Sequence, residues 1–129
     1  MWDRQSIDHI QISISETVGL EGRAGFYNDA GAMRDMVQNH LLQLLCLIAM
    51  EPPNQLNGDS IRTEKIKVLK ALRSIKDGQV KTETVRGQYA SGSQSGRELP
   101  SYLEELGSDE SSCETFVAIR AFVDNWRWR

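Results

Sequence analysis

At 129 residues the chain is the size of one domain and long enough to bury a core without covalent staples. It is 40% hydrophobic and 26% charged with a net charge of −3, a balance that excludes the broad basic footprint of a nucleic-acid binder. Cys46 and Cys113 are too few for a disulfide framework or a cysteine-rich zinc site and suit a reducing cytosol, so a cytoplasmic location is expected. No charged start followed by an apolar run suggests a secretory signal, and the longest apolar run, Leu44 to Met50, is far below the ~20 residues of a membrane span.

The first predicted element is a strand over Ile7 to Ser15, with Ile10, Ile12 and Ile14 on one face and His9, Gln11, Ser13 and Ser15 on the other. Glu16 stands where it should end. Gly19, Gly22 and Gly25 then space a connection into a long helix, predicted from Ala30 to Met50 and stopped by Pro52 and Pro53. Its second half, Leu41 to Met50, is apolar nearly all round, which fits burial in something larger or an interface. A second helix is predicted from Asp59 or Ser60, either of which can cap it, to about Ile75, with Asp77-Gly78 ending it. Val80 to Tyr89 reads as a strand, Ala90 to Gly96 as a mobile loop, and Pro100 to Leu106 as a helical turn or extended segment. Gly107 to Glu114 reads as a solvated acidic loop, and Thr115 to Val123 as a strand buried on both faces or set in a large sheet. The chain closes on Trp126 to Arg129 with no evident turn, which together with the apolar helix suggests a fragment of a larger domain. The expected class is α+β: a long buried helix and a second helix packed on part of an antiparallel sheet.

Three features invite a chemical reading. The glycine connection follows a strand and precedes a helix, but its G-x-x-G-x-x-G spacing differs from the G-x-G-x-x-G that lets a backbone approach a pyrophosphate, and a plain turn is favoured. Asp8 and His9, as neighbours on a strand, should point to opposite faces and form no side-chain pair. His40 sits on the apolar seam of the long helix. By periodicity alone a buried histidine satisfied by a carbonyl is the better reading, although imidazole is the side chain suited to move protons near neutral pH. Asp35 lies five residues earlier, about 140° round an α-helix, and so off the face of His40, although the two can still flank one ligand. No spacing of ligands supports a metal site.

The residues nonetheless carry a resemblance. Ile7 to Ile12, Glu21 to Tyr27, Arg34-Asp35-Met36-Val37-Gln38-Asn39-His40, Ala49 to Pro53, Val85 to Tyr89 and Glu114 to Ala118 together resemble glucose-6-phosphate dehydrogenase, and the Arg34 to His40 run is highly specific. The resemblance runs the length of the chain and corresponds to the opening part of that family's C-terminal domain, so residues 1–129 are expected to be a partial substrate and dimer domain without the N-terminal dinucleotide-binding domain. It implies that His40 is the general base that takes the C1 hydroxyl proton of glucose 6-phosphate as hydride leaves for NADP, giving a lactone. It implies that Glu16 and Asp35 accept hydrogen bonds from sugar hydroxyls. NADP would be bound by the missing domain, and the lysines that anchor the sugar phosphate also lie elsewhere. The expected partners are therefore glucose 6-phosphate and further copies of the chain in a homo-oligomer, with no membrane and no nucleic acid. The competing reading is a non-catalytic assembly module that uses the leucine-rich helix as an interface, with His40 a core residue.

Overall fold

A computed structural model describes residues 2–129. Helix α1 (Ala24–Ala32) runs through a break at Gly31 into a π-helix (Met33–Leu41) and then α2 (Leu42–Ala49). Helix α3 (Gly58–Ala71) lies beside α2, and a 3₁₀ turn (Asp77–Gln79) leads into the short α4 (Val80–Glu83). Strand β1 (Thr84–Gly87), the hairpin β2 (Gly92–Gln94) and β3 (Arg97–Leu99), helix α5 (Tyr102–Leu106) and β4 (Phe116–Ile119) complete the chain. The class is α+β, as the sequence predicts.

The helix beginnings follow from capping chemistry. Asn57, in extended conformation, accepts the Ser60 amide through its side chain at 2.9 Å, so Asn57 is the cap of α3 and not Asp59 or Ser60. Asp59 contributes its charge to the first turn instead. Ser101 and Glu104 cap α5 reciprocally: each backbone amide donates to the other residue's side chain. Helix α3 ends at Ala71, short of Ile75. Leu72 turns extended and bridges Val123, while the Arg73 amide donates to the Phe122 carbonyl at 2.9 Å and Asp124 to that of Ala71 at 2.7 Å. Pairing with the chain's last segment thus outcompetes helical periodicity.

Several other expectations are corrected. Residues 7–15 adopt no regular structure, with a bend at Asp8, and belong to no ladder. The long helix holds from Met33 to Ala49, but its first half is a π-helix and Gly31 at φ +67° parts it from α1. It is buried on one face only: Cys46 and Ala49 are covered while Leu44 and Leu47 are exposed. Val80 to Tyr89 is helical first and becomes strand only at Thr84. The stretch expected to be a mobile loop folds as a hairpin, since Ser95 and Gly96 both adopt the positive φ that a tight two-residue turn requires. Strand β4 pairs antiparallel with β1 alone, Thr84 opposite Ile119 and Gly87 opposite Phe116, and is largely exposed, not buried on both faces. The terminal segment does turn: the Asn125 side chain accepts the amides of Arg127 and Trp128, and Arg127 reaches the Glu51 carboxylate at 2.7 Å.

Two small cores result. In one, Cys46, Ala49 and Val68 let α2 and α3 approach closely, closed over by Met50, Val123 and Trp128. In the other, Leu20, Tyr102 and Cys113 are buried, with Ala24, Tyr27, Tyr89, Leu103 and Leu106 around them. Both cysteines are free. No helix among the described residues is long and apolar enough to cross a membrane.

Candidate active site

The extended segment 14–20, α1 and the π-helix converge beside the second core. A cavity of about 160 Å³ opens there, lined among others by Ile14, Glu16, Arg23, Tyr27, Met36 and Tyr89. Glu16 is exposed on the extended segment, its neighbour chain fixed by Glu105, whose carboxylate accepts both the Leu20 amide and the Tyr89 hydroxyl at 2.7 Å. These two donors, the Leu20 amide foremost, hold the Glu105 carboxyl below the ordinary carboxylate range.

Asp35 is half-buried in the first turn of the π-helix, one residue before the cavity-lining Met36. The Tyr27 phenol lies within electrostatic reach of both predicted carboxylates. Burial foremost, then the charges of Cys113, Asp35, Glu114 and Glu16, push its ionisation up. Glu16 and Tyr27 line the cavity together, with Met36 of the π-helix beside them.

His40 lies near the far end of the π-helix and is exposed, so the reading of a buried, carbonyl-satisfied histidine does not hold. It does not line the cavity. On an α-helix Asp35 and His40 would stand about 140° apart. In the π register, seen where the Leu42 amide reaches back to the Val37 carbonyl, hydrogen bonds join residues five apart. Residues 35 and 40 are therefore separated by about one turn and share a side of the helix. The wider coil brings onto one face what an α-helix would have divided.

Asp8 and His9 also depart from expectation. Off any ladder, their side chains meet, Nδ1 of His9 lying 2.9 Å from the Asp8 carboxylate, but both are exposed and remote from the cavity lining. The glycine connection is a turn around Glu21 and Gly22, as favoured, with the Arg23 amide donating to the Leu20 carbonyl. Helix α1 starts sooner than predicted, so Gly25 lies inside it. No cluster of histidine, cysteine and carboxylate side chains among the described residues would hold a metal.

Sequence reasoning missed Tyr27, Glu105 and Glu114. Glu105 sits in a helix of five residues, too short for periodicity to orient, and Glu114 ends an acidic stretch that reads as solvent-facing. That stretch is tied down: Gln88 donates to the carbonyls of Ser111 and Cys113, and Ser111 donates to Asn28.

Comparison with known proteins gives a consistent picture. The family model described as the C-terminal domain of glucose-6-phosphate dehydrogenase matches residues 1–129. A glucose-6-phosphate 1-dehydrogenase of Rhizobium meliloti is 56% identical over 128 residues, which is 99% of this chain and 26% of that protein. The enzyme of the same name from Zymomonas mobilis is 54% identical, over 100% of this chain and 26% of its own length. Among solved structures, a glucose-6-phosphate 1-dehydrogenase from Mycobacterium avium superposes with a TM-score of 0.81 at 43% identity, covering 98% of this chain and 26% of that one. A glucose-6-phosphate dehydrogenase in complex with its substrate glucose-6-phosphate gives 0.83 at 41% identity, over 98% of this chain and 25% of that one. The chain therefore spans about a quarter of the length of the relatives it matches.

Proposed function

The chain belongs to the glucose-6-phosphate dehydrogenase C-terminal domain family, and from that premise we propose that it supplies the sugar-facing half of an active site that oxidises glucose 6-phosphate at C1 to 6-phosphogluconolactone. In this reading His40 is the general base, and Glu16 and Asp35 accept hydrogen bonds from sugar hydroxyls. The observation that carries it is the π-helix, which sets Asp35 and His40 on one side, while its Met36 lines the cavity that Glu16 and Tyr27 also line. A polyol needs acceptors in a fixed array, and side chains carried on a helix meet that need. The imidazole nitrogen of His40 would take the C1 hydroxyl proton as the carbonyl forms.

The dinucleotide finds no cradle in these residues. The glycine connection is a closed turn and Gly25 is inside α1, not at a phosphate-facing helix end. NADP is accordingly assigned to the remaining three-quarters of a longer enzyme, with residues 1–129 forming part of its C-terminal domain. The exposed Leu44, Leu47 and Ile66 on α2 and α3 suit burial against that remainder or against a second copy in a homo-oligomer, and they are the one observation that favours the alternative assembly-module reading. Two buried free thiols suit a cytoplasmic protein.

The test is a graft. The chain replaces the matching 128 residues of the Rhizobium meliloti enzyme, and reduced-cofactor absorbance is followed with glucose 6-phosphate and NADP. Turnover by the graft, with none by the chain alone, is expected. A folded graft without turnover contradicts the proposal and favours the assembly module.

A further inference from the structure

The break at Gly31 removes the helical carbonyls that would serve the amides after it, and the two amides that follow both go to one residue. The Ala32 amide donates to the main-chain carbonyl of Glu114 at 3.0 Å, and the Met33 amide donates to its Oε1 at 2.9 Å. Glu114 comes from the start of the β4 region, 81 residues further along the chain, so the contact is tertiary and not a local cap. The seat is fitted to a carboxylate. The positive φ of Gly31 demands glycine there, and a Cβ would lie 2.7 Å from Oε1 and push the carboxylate from its seat. A negative charge at this point also complements the positive end of the helix.

From these contacts we infer that Glu114 is a positioning residue for the reaction: it fixes where the π-helix begins, and so the rotation at which Asp35 and His40 face the sugar. The inference rests on the roles proposed above for those two residues. Asp35 lies only two residues beyond the Met33 amide, and in a nine-residue helix i→i+5 closure leaves one more leading amide without an internal acceptor than i→i+4 closure would, so an anchor at its first turn governs its register. A residue that touches no substrate can cost on the order of tenfold to a hundredfold in rate when it lets the reacting groups drift by about 1 Å.

The experiment uses the full-length grafted enzyme, with active protein counted by its folded fraction. Glu114→Asp keeps the charge but withdraws the oxygen by one methylene, and Glu114→Gln keeps an oxygen acceptor at the same reach without the charge. Glu114→Asp is expected to lower kcat on the order of tenfold with a smaller, severalfold rise in KM for glucose 6-phosphate through Asp35, while Glu114→Gln stays close to the parent. Hydrogen exchange at the Met33 amide should rise in the aspartate variant and not in the glutamine variant. Loss in Glu114→Gln equal to that in Glu114→Asp, an unchanged kcat in Glu114→Asp, or a deficit that vanishes on correction for folded fraction would each overturn the inference. A graft with no turnover before any substitution would instead count against the proposed function, and Met33 exchange would still report on the anchor.

Discussion

The two cores of this molecule are built on opposite principles, and each carries its own chromophore. All three tyrosines, Tyr27, Tyr89 and Tyr102, surround one; two of the three tryptophans, Trp2 and Trp128, close the other. The tryptophan core is a helix pair with small residues at the contact. Trp128 caps it, donating its indole N–H to the Ala49 carbonyl at 3.0 Å and meeting Trp2 edge-on at 6.1 Å. The tyrosine core joins segments remote in sequence through polar groups. The Tyr102 hydroxyl, on a ring with no exposed surface, donates to Asn28 at 3.0 Å, and Glu105 gathers Leu20 and Tyr89. Apolar packing tolerates exchange of similar shapes, whereas a satisfied polar network specifies one arrangement. The candidate site lies beside the tyrosine core, where positions are specified more closely.

The sharpest way to break this contrast is to empty one core and watch the other. Tyr102→Ala removes a fully buried ring and should cost about 3–5 kcal/mol, lowering the urea midpoint with loss of the tyrosine signal in near-ultraviolet circular dichroism. Trp128→Ala removes a half-buried ring and should cost about 3 kcal/mol, quenching the ordered tryptophan signal while the cavity around Glu16 persists. If either substitution abolishes both signals at one midpoint, the cores are a single cooperative unit.

The apolar core was far more legible in the sequence than the polar one. Val68 falls on a helical repeat, and the stop at Pro52 and the capped start of α3 bracket the pair, so α2 and α3 follow from pattern. The tyrosine core has no such period. Glu105 and Glu114 gain their roles from contacts spanning more than eighty residues, which local spacing does not encode. The π-helix was hidden for another reason: the Asp35–His40 spacing is misread whenever 3.6 residues per turn is assumed. Likewise the Ile7 to Ser15 alternation describes a strand-forming sequence, but a strand also needs a neighbour.

Acid should separate the cores. The carboxyls of Glu105 and of Glu104, the latter held by the Ser101 amide and hydroxyl, sit below their ordinary range in the folded chain. A depressed folded value means that the stabilisation is present above the unfolded carboxyl pKa of about 4.3 and is lost as pH falls through the folded value. Asp124, beside the tryptophan core, is held low in the same way by Arg73 but from the lower ordinary aspartate value. The tyrosine dichroism should therefore fade below about pH 4 ahead of the tryptophan fluorescence, and Glu105→Gln should shrink the gap. Coincident acid transitions in both proteins would contradict this.

Alkali gives a related effect. Burial foremost raises the ionisation of Tyr89 and of Tyr102 strongly, with Glu105 adding to it at Tyr89. A raised folded value stabilises below the unfolded phenol pKa of about 10 and is lost above it, so phenolate absorbance should appear only as the chain unfolds. The smallest change is Tyr102→Phe, which keeps the ring and leaves Asn28 its bond from Ser111. It should cost about 1 kcal/mol in urea unfolding.

The proposed division of labour, with His40 as the base and Asp35 and Glu16 as acceptors for the sugar hydroxyls, is tested most directly by His40→Asn in the full-length grafted enzyme. Steady-state kinetics with glucose 6-phosphate should show kcat reduced by about 10²–10⁴ while KM changes little, because proton removal belongs to the transition state and binding rests on other anchors. A rise in KM with kcat preserved would contradict the account and make His40 a binding residue only.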